Sequence, residues 1–481
     1  MGGRVVELAH ARVVVAGLGV SGRAAVDVLT DRGARVVTVD AQVSDADARD
    51  AAAFVAAGGL NGVDLVVASP GWAPANPLLS AALALGVPVW SEVELAWQVR
   101  VDRTGGRGPA PWLAVTGTNG KTTTVGMLES ILRAGGENAL AVGNVGTPVV
   151  LGATDPELDV LAVELSSFQL HFTHSMAAEA AAVLNIAPDH LDWHGSLEAY
   201  TTDKARIFAR AEVACVYNAA DPVTELLVRD ADVRDGAVAI GFTLGMPRVG
   251  QVGLVEDVLV DRGFAELRHT HAVELATCAD LGHLGGPDGE VPPHVRADAL
   301  AAAALALAHG VPAAAIRNGL RSYAPGAHRL QTVAQAGDVT WVDDSKATNG
   351  HAAAAALAAF APGSVVWIAG GLAKGAAFDD LVESRRDRLR AVVLIGVDQG
   401  PLRDALDRHA PEVPVVAIDP GDTGSVMTRA VEEARQLASA VEGAVTVLLA
   451  PACASMDQFA SYAERGESFA AAARALASGV G

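Results

Sequence analysis

The run Thr116-Gly117-Thr118-Asn119-Gly120-Lys121-Thr122-Thr123 places glycines, a lysine and hydroxyls in consecutive positions. Backbone N–H groups of such a loop wrap phosphate oxygens, Lys121 reaches the terminal phosphates of a nucleoside triphosphate, and Thr122 offers its hydroxyl to Mg²⁺. The loop is shorter than the usual G-x-x-x-x-G-K-[ST] pattern. A second glycine cluster, Gly17-Leu18-Gly19-Val20-Ser21-Gly22, is followed by Asp40, 18 residues beyond Gly22. Glycines there let the backbone approach a diphosphate, and the acid binds a sugar hydroxyl or a base. An NAD-type dinucleotide, a UDP-type nucleotide and a purely structural tight turn all satisfy this pattern, so its ligand must be decided elsewhere.

Two further residues are placed where metal chemistry needs them. Glu164 closes the apolar run Val160–Val163 and is a candidate Mg²⁺ ligand beside Thr122. His190, in Asp189-His190-Leu191-Asp192, follows the run Val183–Ile186 and is a candidate ligand for a second Mg²⁺. Lys204 lies in Tyr200-Thr201-Thr202-Asp203-Lys204-Ala205-Arg206-Ile207; read blandly, it is one charge on a solvated helix face. His269, His271 and His283 lack further ligands nearby and read as surface residues, the first two in a strand-like segment.

These residues need a scaffold that ends strands at loops. β-rich runs alternate with helix-period segments along the chain, the signature of parallel α/β sheets. Val13–Ala16, Arg35–Val39 and Leu65–Ala68 read as strands before the charged, Gly/Pro-containing stretch Arg100–Pro111. Trp112–Val115, Val160–Val163, Ala182–Leu184 and Ala214–Val216 form a second series, followed by a Gly/Pro-rich patch from Gly282 to Pro293 and two alanine-rich helices. After Ala324-Pro325-Gly326 come Val339–Val342, Val365–Ala369, Ala391–Ile395, Val413–Ala417 and Val445–Ala450. The expected domains are therefore 1–110, 111–326 and 327–481, consistent with the soft prior of about 150 residues each.

Composition excludes several function classes. With 56 acidic and 35 basic residues the net charge is −21, a field that repels nucleic acid and anionic membrane surfaces. The longest apolar runs, Ala299–Ala308 and Ala352–Ala361, fall short of the roughly 20 residues a spanning helix needs and read as buried helix segments. Glu7, His10 and Arg12 interrupt anything like a signal-peptide core. Cys215, Cys278 and Cys453 are scattered and odd in number, which points to a reducing, cytoplasmic setting and to three small core residues.

The shortened TGTNGKTT loop resembles that of the Mur ligase and folylpolyglutamate synthetase superfamily of ATP-dependent amide ligases. Ser69-Pro70-Gly71, Gly143-Asn144-Val145-Gly146, Glu164-Leu165-Ser166-Ser167-Phe168-Gln169, Asp189–Asp192, Asp344-Ser345-Lys346-Ala347-Thr348-Asn349 and Pro451–Phe459 narrow the resemblance to Mur ligases that add D-glutamate to UDP-N-acetylmuramoyl-L-alanine in peptidoglycan precursor synthesis. The resemblance covers essentially the whole chain. It implies three α/β domains with mainly parallel sheets: a Rossmann-like N-terminal domain for the UDP-substrate, a P-loop-type central ATPase domain, and a Rossmann-like C-terminal domain for the amino acid. It implies ATP and two Mg²⁺ ions, no NAD, and a cytoplasmic monomer with no nucleic-acid or membrane partner. A folylpolyglutamate synthetase-like ligase would lack the UDP-binding first domain, and the Gly17–Gly22 loop speaks against it.

Site residues follow from the same likeness. Gly19, Val20 and Ser21 are expected at the diphosphate, Asp40 at the uracil, and Ser69, Gly71 and Asn144 on the same substrate. Thr116, Gly117, Thr118, Asn119, Gly120, Lys121, Thr122 and Thr123 are expected around ATP, joined by Asp298, Arg329 and Asp344. Asp298 stands where the family has an asparagine: here the helix start reads His294-Val295-Arg296-Ala297-Asp298. Thr122, Glu164, His190 and Lys204 are the expected metal ligands, Lys204 as an N-carbamylated lysine. Thr348 and Lys374 are expected on one carboxylate of the amino acid, and Ser455 with backbone near Tyr462 on the other; Tyr462 replaces a common phenylalanine. Lys121, His190, Lys204 and Lys346 are the expected catalytic groups. Independently of kinship, joining a carboxylate to an amine in water is uphill, so ATP must first convert the carboxylate to an acyl phosphate. Holding two anions against each other requires such cations.

Overall fold

Runs such as Val13-Val14-Val15-Ala16 carry apolar residues at every position, which suits a strand covered on both faces. The computed structural model describes residues 6–285, 290–326, 328–421, 424–439 and 443–478. Its strands form three sheets. The first contains β1 (Arg12–Ala16), β2 (Arg35–Val39), β3 (Leu65–Ala68) and β4 (Val89–Ser91), in the order β2-β1-β3-β4 and parallel throughout.

The second sheet contains β5 (Trp112–Thr116), β6 (Ala139–Gly143), β7 (Val160–Glu164), β8 (Ala180–Val183), β9 (Ala214–Asn218), β10 (Val238–Phe242), β11 (Gln251–Val255), β12 (Val258–Asp261) and β13 (Val273–Thr277). Their order is β13-β12-β11-β10-β9-β8-β5-β7-β6; β12 and β13 are antiparallel additions to a parallel sheet. The third sheet, β14 (Gln331–Ala336), β15 (Val339–Asp343), β16 (Val365–Gly370), β17 (Leu389–Ile395), β18 (Val415–Ala417) and β19 (Val445–Leu449), runs β14-β15-β19-β16-β17-β18. Only its edge strand β14 is antiparallel.

Two compact units result. One is drawn from residues up to Asp280 together with Val295–Tyr323 and holds the first two sheets. The other is drawn from Leu281–His294 and residues from Ala324 onward and holds the third. Within the first unit the apolar core is continuous between its sheets, with Trp97 packed edge-on against Trp112 at 4.9 Å. Glu94 joins them as well, accepting from the backbone of His174 at 2.7 Å and Ser175 at 2.9 Å.

Several local expectations shift. The run expected at Ala182–Leu184 pairs as Ala180–Val183, because alanines buried between β5 and β9 continue the parallel register backward. The run expected from Val413 begins at Val415, since Pro414 has no N–H to donate to a ladder. His269 and His271 lie in an exposed turn preceding β13, not in a strand. Ala299–Ala306 is buried as expected, whereas the helix Gly350–Leu357 buries only Ala353, Ala356 and Leu357. Cys215 and Cys453 are buried, but Cys278 is only half-buried. Residues 286–289 of the Gly/Pro-rich patch, and Ala327 at the expected second boundary, lie outside the described residues. Among the described residues no helix is long and apolar enough to cross a membrane.

Candidate active site

The two glycine loops and the loops carrying Ser69, Asn144, His190, Lys346, Lys374 and Ser455 follow the carboxyl ends of parallel strands, and Glu164 is the last residue of one; open α/β sheets hold ligands at these ends. After β1, Gly17 adopts φ +93°, and a Cβ on Gly22 would lie 1.8 Å from the Gly17 carbonyl oxygen. Both positions therefore require glycine. Ser69 Oγ donates to that same carbonyl at 2.9 Å. Gly19 caps the helix Val20–Asp31 without a side-chain hydrogen bond, leaving first-turn N–H groups to an anion. Asp40 accepts from the backbone of Leu18 at 2.7 Å and of Gln42 at 2.8 Å. Burial pushes its carboxyl upward, but these N–H groups with that of Val43 outweigh it and hold the acid below its ordinary range. In this structure Asp40 thus braces the glycine loop.

After β5, the phosphate loop turns through Gly117 at φ +153° and Gly120 at φ +85° into the helix Lys121–Ala134, again without a side-chain cap. Lys121 Nζ folds back onto the carbonyls of Gly117 at 2.8 Å and Thr118 at 2.9 Å. The loop is clamped from β8's side: Asn185 accepts from Asn119 N at 2.9 Å and donates to Asn119 O at 3.1 Å. Thr118 Oγ1 lies 3.0 Å from the hydroxyl of Tyr200. Asp298 is buried beside the loop, close enough that a Cβ on Gly120 would meet its Oδ1 at 2.3 Å.

Glu164, at the end of β7, is 3% exposed. Asn144, which follows β6, donates to its Oε1 at 3.2 Å and, through its backbone, to its carbonyl at 2.9 Å. His190 has φ +53° and opens the turn Leu191–His194, with the ring of Phe168 edge-on at 4.7 Å. Lys204, on the helix Leu197–Ala205, is 2% exposed and donates to Gly117 O at 2.8 Å and Thr116 Oγ1 at 3.3 Å. The solvated-face reading of Lys204 is therefore wrong. Burial, and next the neighbouring charge of Lys121, push its ammonium well below the ordinary lysine range against the pull of Asp189 and Glu164.

Among the described residues no three His, Cys, Asp or Glu side chains stand close enough to form an all-protein metal centre. Mg²⁺ does not need one, because it is held by one or two carboxylates together with substrate phosphates and waters. A buried Glu164 within electrostatic reach of Lys204, with Thr122 at the start of the helix, fits that demand.

The second unit carries the remaining expected residues. His328 Nδ1 pairs with Asp343 Oδ2 at 2.6 Å. Asp344 accepts from Leu330 N at 3.2 Å, and burial pushes its carboxyl up to about 7 despite the opposing charge of Arg329. The loops after β15, β16 and β19 converge. Leu372 and Ala454 exchange backbone hydrogen bonds at 2.9 and 3.1 Å, which brings the Lys374 loop beside buried Ser455. Ala452 N donates to Ala347 O at 2.9 Å, drawing in the Lys346–Thr348 segment, and Lys346 Nζ lies 5.4 Å from the Tyr462 ring centroid. Lys374 itself sits at φ +52°.

Sequence reasoning missed the residues that hold this arrangement. Arg465, 1% exposed, donates to Ser345 Oγ at 3.0 Å, Ser345 O at 2.9 Å and Cys453 O at 3.1 Å, bracketing two loops at once. Asp203 and Asn185 were passed over too. Asn185 had a signal, a polar residue directly after a buried strand; Arg465 and Asp203 had none, because Ser345 and His171, which they meet, are remote in sequence.

Comparison with known proteins agrees with this fold. Residues 11–91 match the N-terminal domain of MurD-like Mur ligases, 115–245 the Mur ligase middle domain, and 328–453 the Mur ligase glutamate ligase domain. The chain belongs to the Mur ligase family. The UDP-N-acetylmuramoylalanine–D-glutamate ligase of Streptomyces avermitilis is 57% identical over 96% of this chain and 98% of its own. Its namesake from Thermobifida fusca is 50% identical over 98% of this chain and 100% of its own. Within the family, the chain belongs with these D-glutamate ligases. The fold is shared more widely: the UDP-N-acetylmuramate-alanine ligase of Thermotoga maritima superposes with a TM-score of 0.56 at 16% identity, covering 97% of this chain and 100% of that one.

Proposed function

We propose that this protein joins D-glutamate to UDP-N-acetylmuramoyl-L-alanine at the expense of ATP, in the cytoplasm, as a monomer and without NAD. The observation that supports it most is the convergence, at one end of a single sheet, of the phosphate loop, buried Glu164, the His190 turn and buried Lys204. The curated relatives carry the name of that reaction. We place the domains at 1–110, 111–326 and 327–481.

In this reading Gly19, Val20, Ser21, Ser69, Gly71 and Asn144 receive the UDP-substrate, and Asp40, by holding the glycine loop, sets the distance to its base. The loop Thr116–Thr123 cradles the triphosphate, with Asp298, Arg329 and Asp344 around the nucleotide. A carboxylate oxygen of the substrate attacks the γ-phosphorus and ADP departs. The D-glutamate nitrogen then attacks the acyl carbon, phosphate leaves, and the nitrogen gives up a proton. Lys121 neutralises charge on the transferring group. Lys346 steers the phosphate, while Thr348, Lys374, Ser455 and Tyr462 orient the two carboxylates of D-glutamate.

Two Mg²⁺ ions, when bound, supply Lewis-acid stabilisation of the phosphoryl oxygens. Thr122 and Glu164 would hold one; His190 and Lys204 would hold the other. An ammonium cannot ligate a cation, so Lys204 serves as its carbamate, and the lowered proton affinity of the buried amine favours reaction with CO₂. Phosphate release assayed with UDP-N-acetylmuramoyl-L-alanine and a panel of amino acids tests the proposal. Turnover with D-glutamate alone is the expected result; equal turnover with L-glutamate or D-aspartate, or none with D-glutamate, overturns it.

A further inference from the structure

Outside the residues assigned above, the first unit contains a buried polar cluster centred on one aspartate. Asp203 is 4% exposed. Its Oδ2 accepts from His171 Nδ1 at 2.8 Å and from His194 Nδ1 at 3.0 Å, and its Oδ1 accepts from Arg206 Nε at 3.2 Å. With Nδ1 donating, the other nitrogen of His194 is an acceptor, and Ser167 Oγ donates to it at 2.9 Å. The His194 side chain has no exposed surface at all.

The order serine, histidine, aspartate is that of hydrolase nucleophiles. Here Ser167 is 2% exposed, so no substrate carbonyl reaches its hydroxyl. The cluster is mechanical, and its anchor points show what it holds. Ser167 and His171 lie on the short helix that begins three residues after Glu164. His194 closes the turn that His190 opens. Asp203 immediately precedes Lys204 on the helix Leu197–Ala205. A single carboxylate therefore fixes the mutual distances of the three segments that carry Glu164, His190 and Lys204.

Helix geometry makes the constraint rotational as well. Tyr200 and Lys204 are four residues apart and share one face, turned to the phosphate loop through Thr118 and Gly117. Asp203, about 100° around the axis from Lys204, faces the histidines instead. Held on both faces, the helix cannot roll, and Lys204 stays aimed at the loop.

We propose that Asp203, acting through His194 and His171, is a positioning residue that sets the placement of Lys204 and His190 at the nucleotide. This rests on the ligase reading of the site but adds residues to which that reading gives no task. Asp203→Asn keeps the shape and removes the charge that two histidines share. Orienting partners of this kind are worth about 10- to 100-fold in metal affinity or activity. The expected result is a fall in kcat of that size with KM for the UDP-substrate within about twofold, and at least about a tenfold weaker Mn²⁺ signal titration by electron paramagnetic resonance in the presence of ADP. His171→Gln, which leaves the His194 arm in place, should show a smaller loss on both readouts and covers the case in which Asp203→Asn does not fold. Wild-type kcat and Mn²⁺ affinity in folded Asp203→Asn, or in His171→Gln should the former be unstable, overturn the proposal, as does a lowered Tm with both values unchanged. Lys204→Ala, assayed in parallel, separates the two readings: full activity there sinks the role of Lys204 itself, whereas an inactive Lys204→Ala beside a normal Asp203→Asn sinks only the positioning role.

Discussion

Lys121 and Lys204 donate to the same oxygen: each Nζ lies 2.8 Å from the carbonyl of Gly117. Two ammonium groups on one carbonyl repel strongly in a buried site. Lys204 is the more buried of the two, and burial, followed by the charge of Lys121, lowers its proton affinity. The lowered proton affinity favours the neutral amine at Lys204. In the proposed reaction Lys121 is the cation that meets phosphate and Lys204 the amine that takes up CO₂.

Removal of the cation should abolish turnover without unfolding the protein. Lys121→Ala is expected to lower phosphate release by at least about 10²–10³-fold, the scale of losing one charge-stabilising donor. Thermal denaturation should stay within about 0.5 kcal/mol of the wild type, because a half-buried loop lysine contributes little to stability. Substantial remaining turnover would place the triphosphate elsewhere.

Lys204→Ala should lose nearly all activity and regain part of it when formate or acetate is added, since a short carboxylate supplies the oxygens that the carbamate would have carried. The same anions should do little for Lys121→Ala, whose missing group is a cation. Activity assays across a formate titration check both statements, and rescue of the wrong variant would refute the assignment.

Gly22→Ala should damage the first sheet's ligand loop. The added methyl would stand 1.8 Å from the Gly17 carbonyl oxygen, which is backbone and cannot swing away. A destabilisation of about 1–3 kcal/mol is expected, the range for overpacking. KM for the UDP-substrate should rise more than KM for ATP, and an unchanged Tm with unchanged KM would contradict the geometry.

Arg465→Lys keeps a charge but loses the fork that holds Ser345 and Cys453 together. Loosening the two loops should raise KM for D-glutamate about tenfold, equivalent to ~1.4 kcal/mol, with KM for the UDP-substrate unchanged. Steady-state kinetics with each substrate varied in turn decide it.

Glu92 gives a pH prediction. Its side chain is 1% exposed, Oε1 accepts from Val150 N at 2.6 Å, and Oε2 is buried without a partner. Burial pushes its carboxyl from 4.5 to about 7. Between those values the folded protein holds a proton that the unfolded chain has released. Stability contributed by this group is therefore full below pH 4.5 and is lost as pH rises to about 7, by ~3 kcal/mol in all. Glu92→Gln cannot ionise and should flatten that slope. Chemical denaturation at pH 5 and pH 8 measures it, and equal slopes in both proteins would exclude the effect.

The residues that make ligand loops were legible because they are contiguous and their geometry is a property of local backbone. Gly117 and Gly120 are needed at positive φ, Lys121 follows directly, and the strand before and helix after are written in the same twenty residues. Alternating strand and helix patterns likewise marked parallel α/β sheets, without the antiparallel strands β12, β13 and β14. The sequence alone also marked Ser455, Lys374 and Thr348 as one group through resemblance. What it did not contain was the identity of the residues that hold the loops. The antiparallel strands β12 and β13 are short, and β13 is interrupted by Glu274, so their pairing is decided by the neighbour they join. Arg465 reaches a serine 120 positions away, and Asp203 reaches His171 across 32. Neither spacing has a period that a pattern can detect. Lys204 shows the same limit from the other side: its helix has the composition of a solvated face, and only packing against Gly117 and Tyr200 takes its amine out of water. Local chemistry is encoded along the chain, whereas burial, and the charge states it imposes, exist only once distant segments have met.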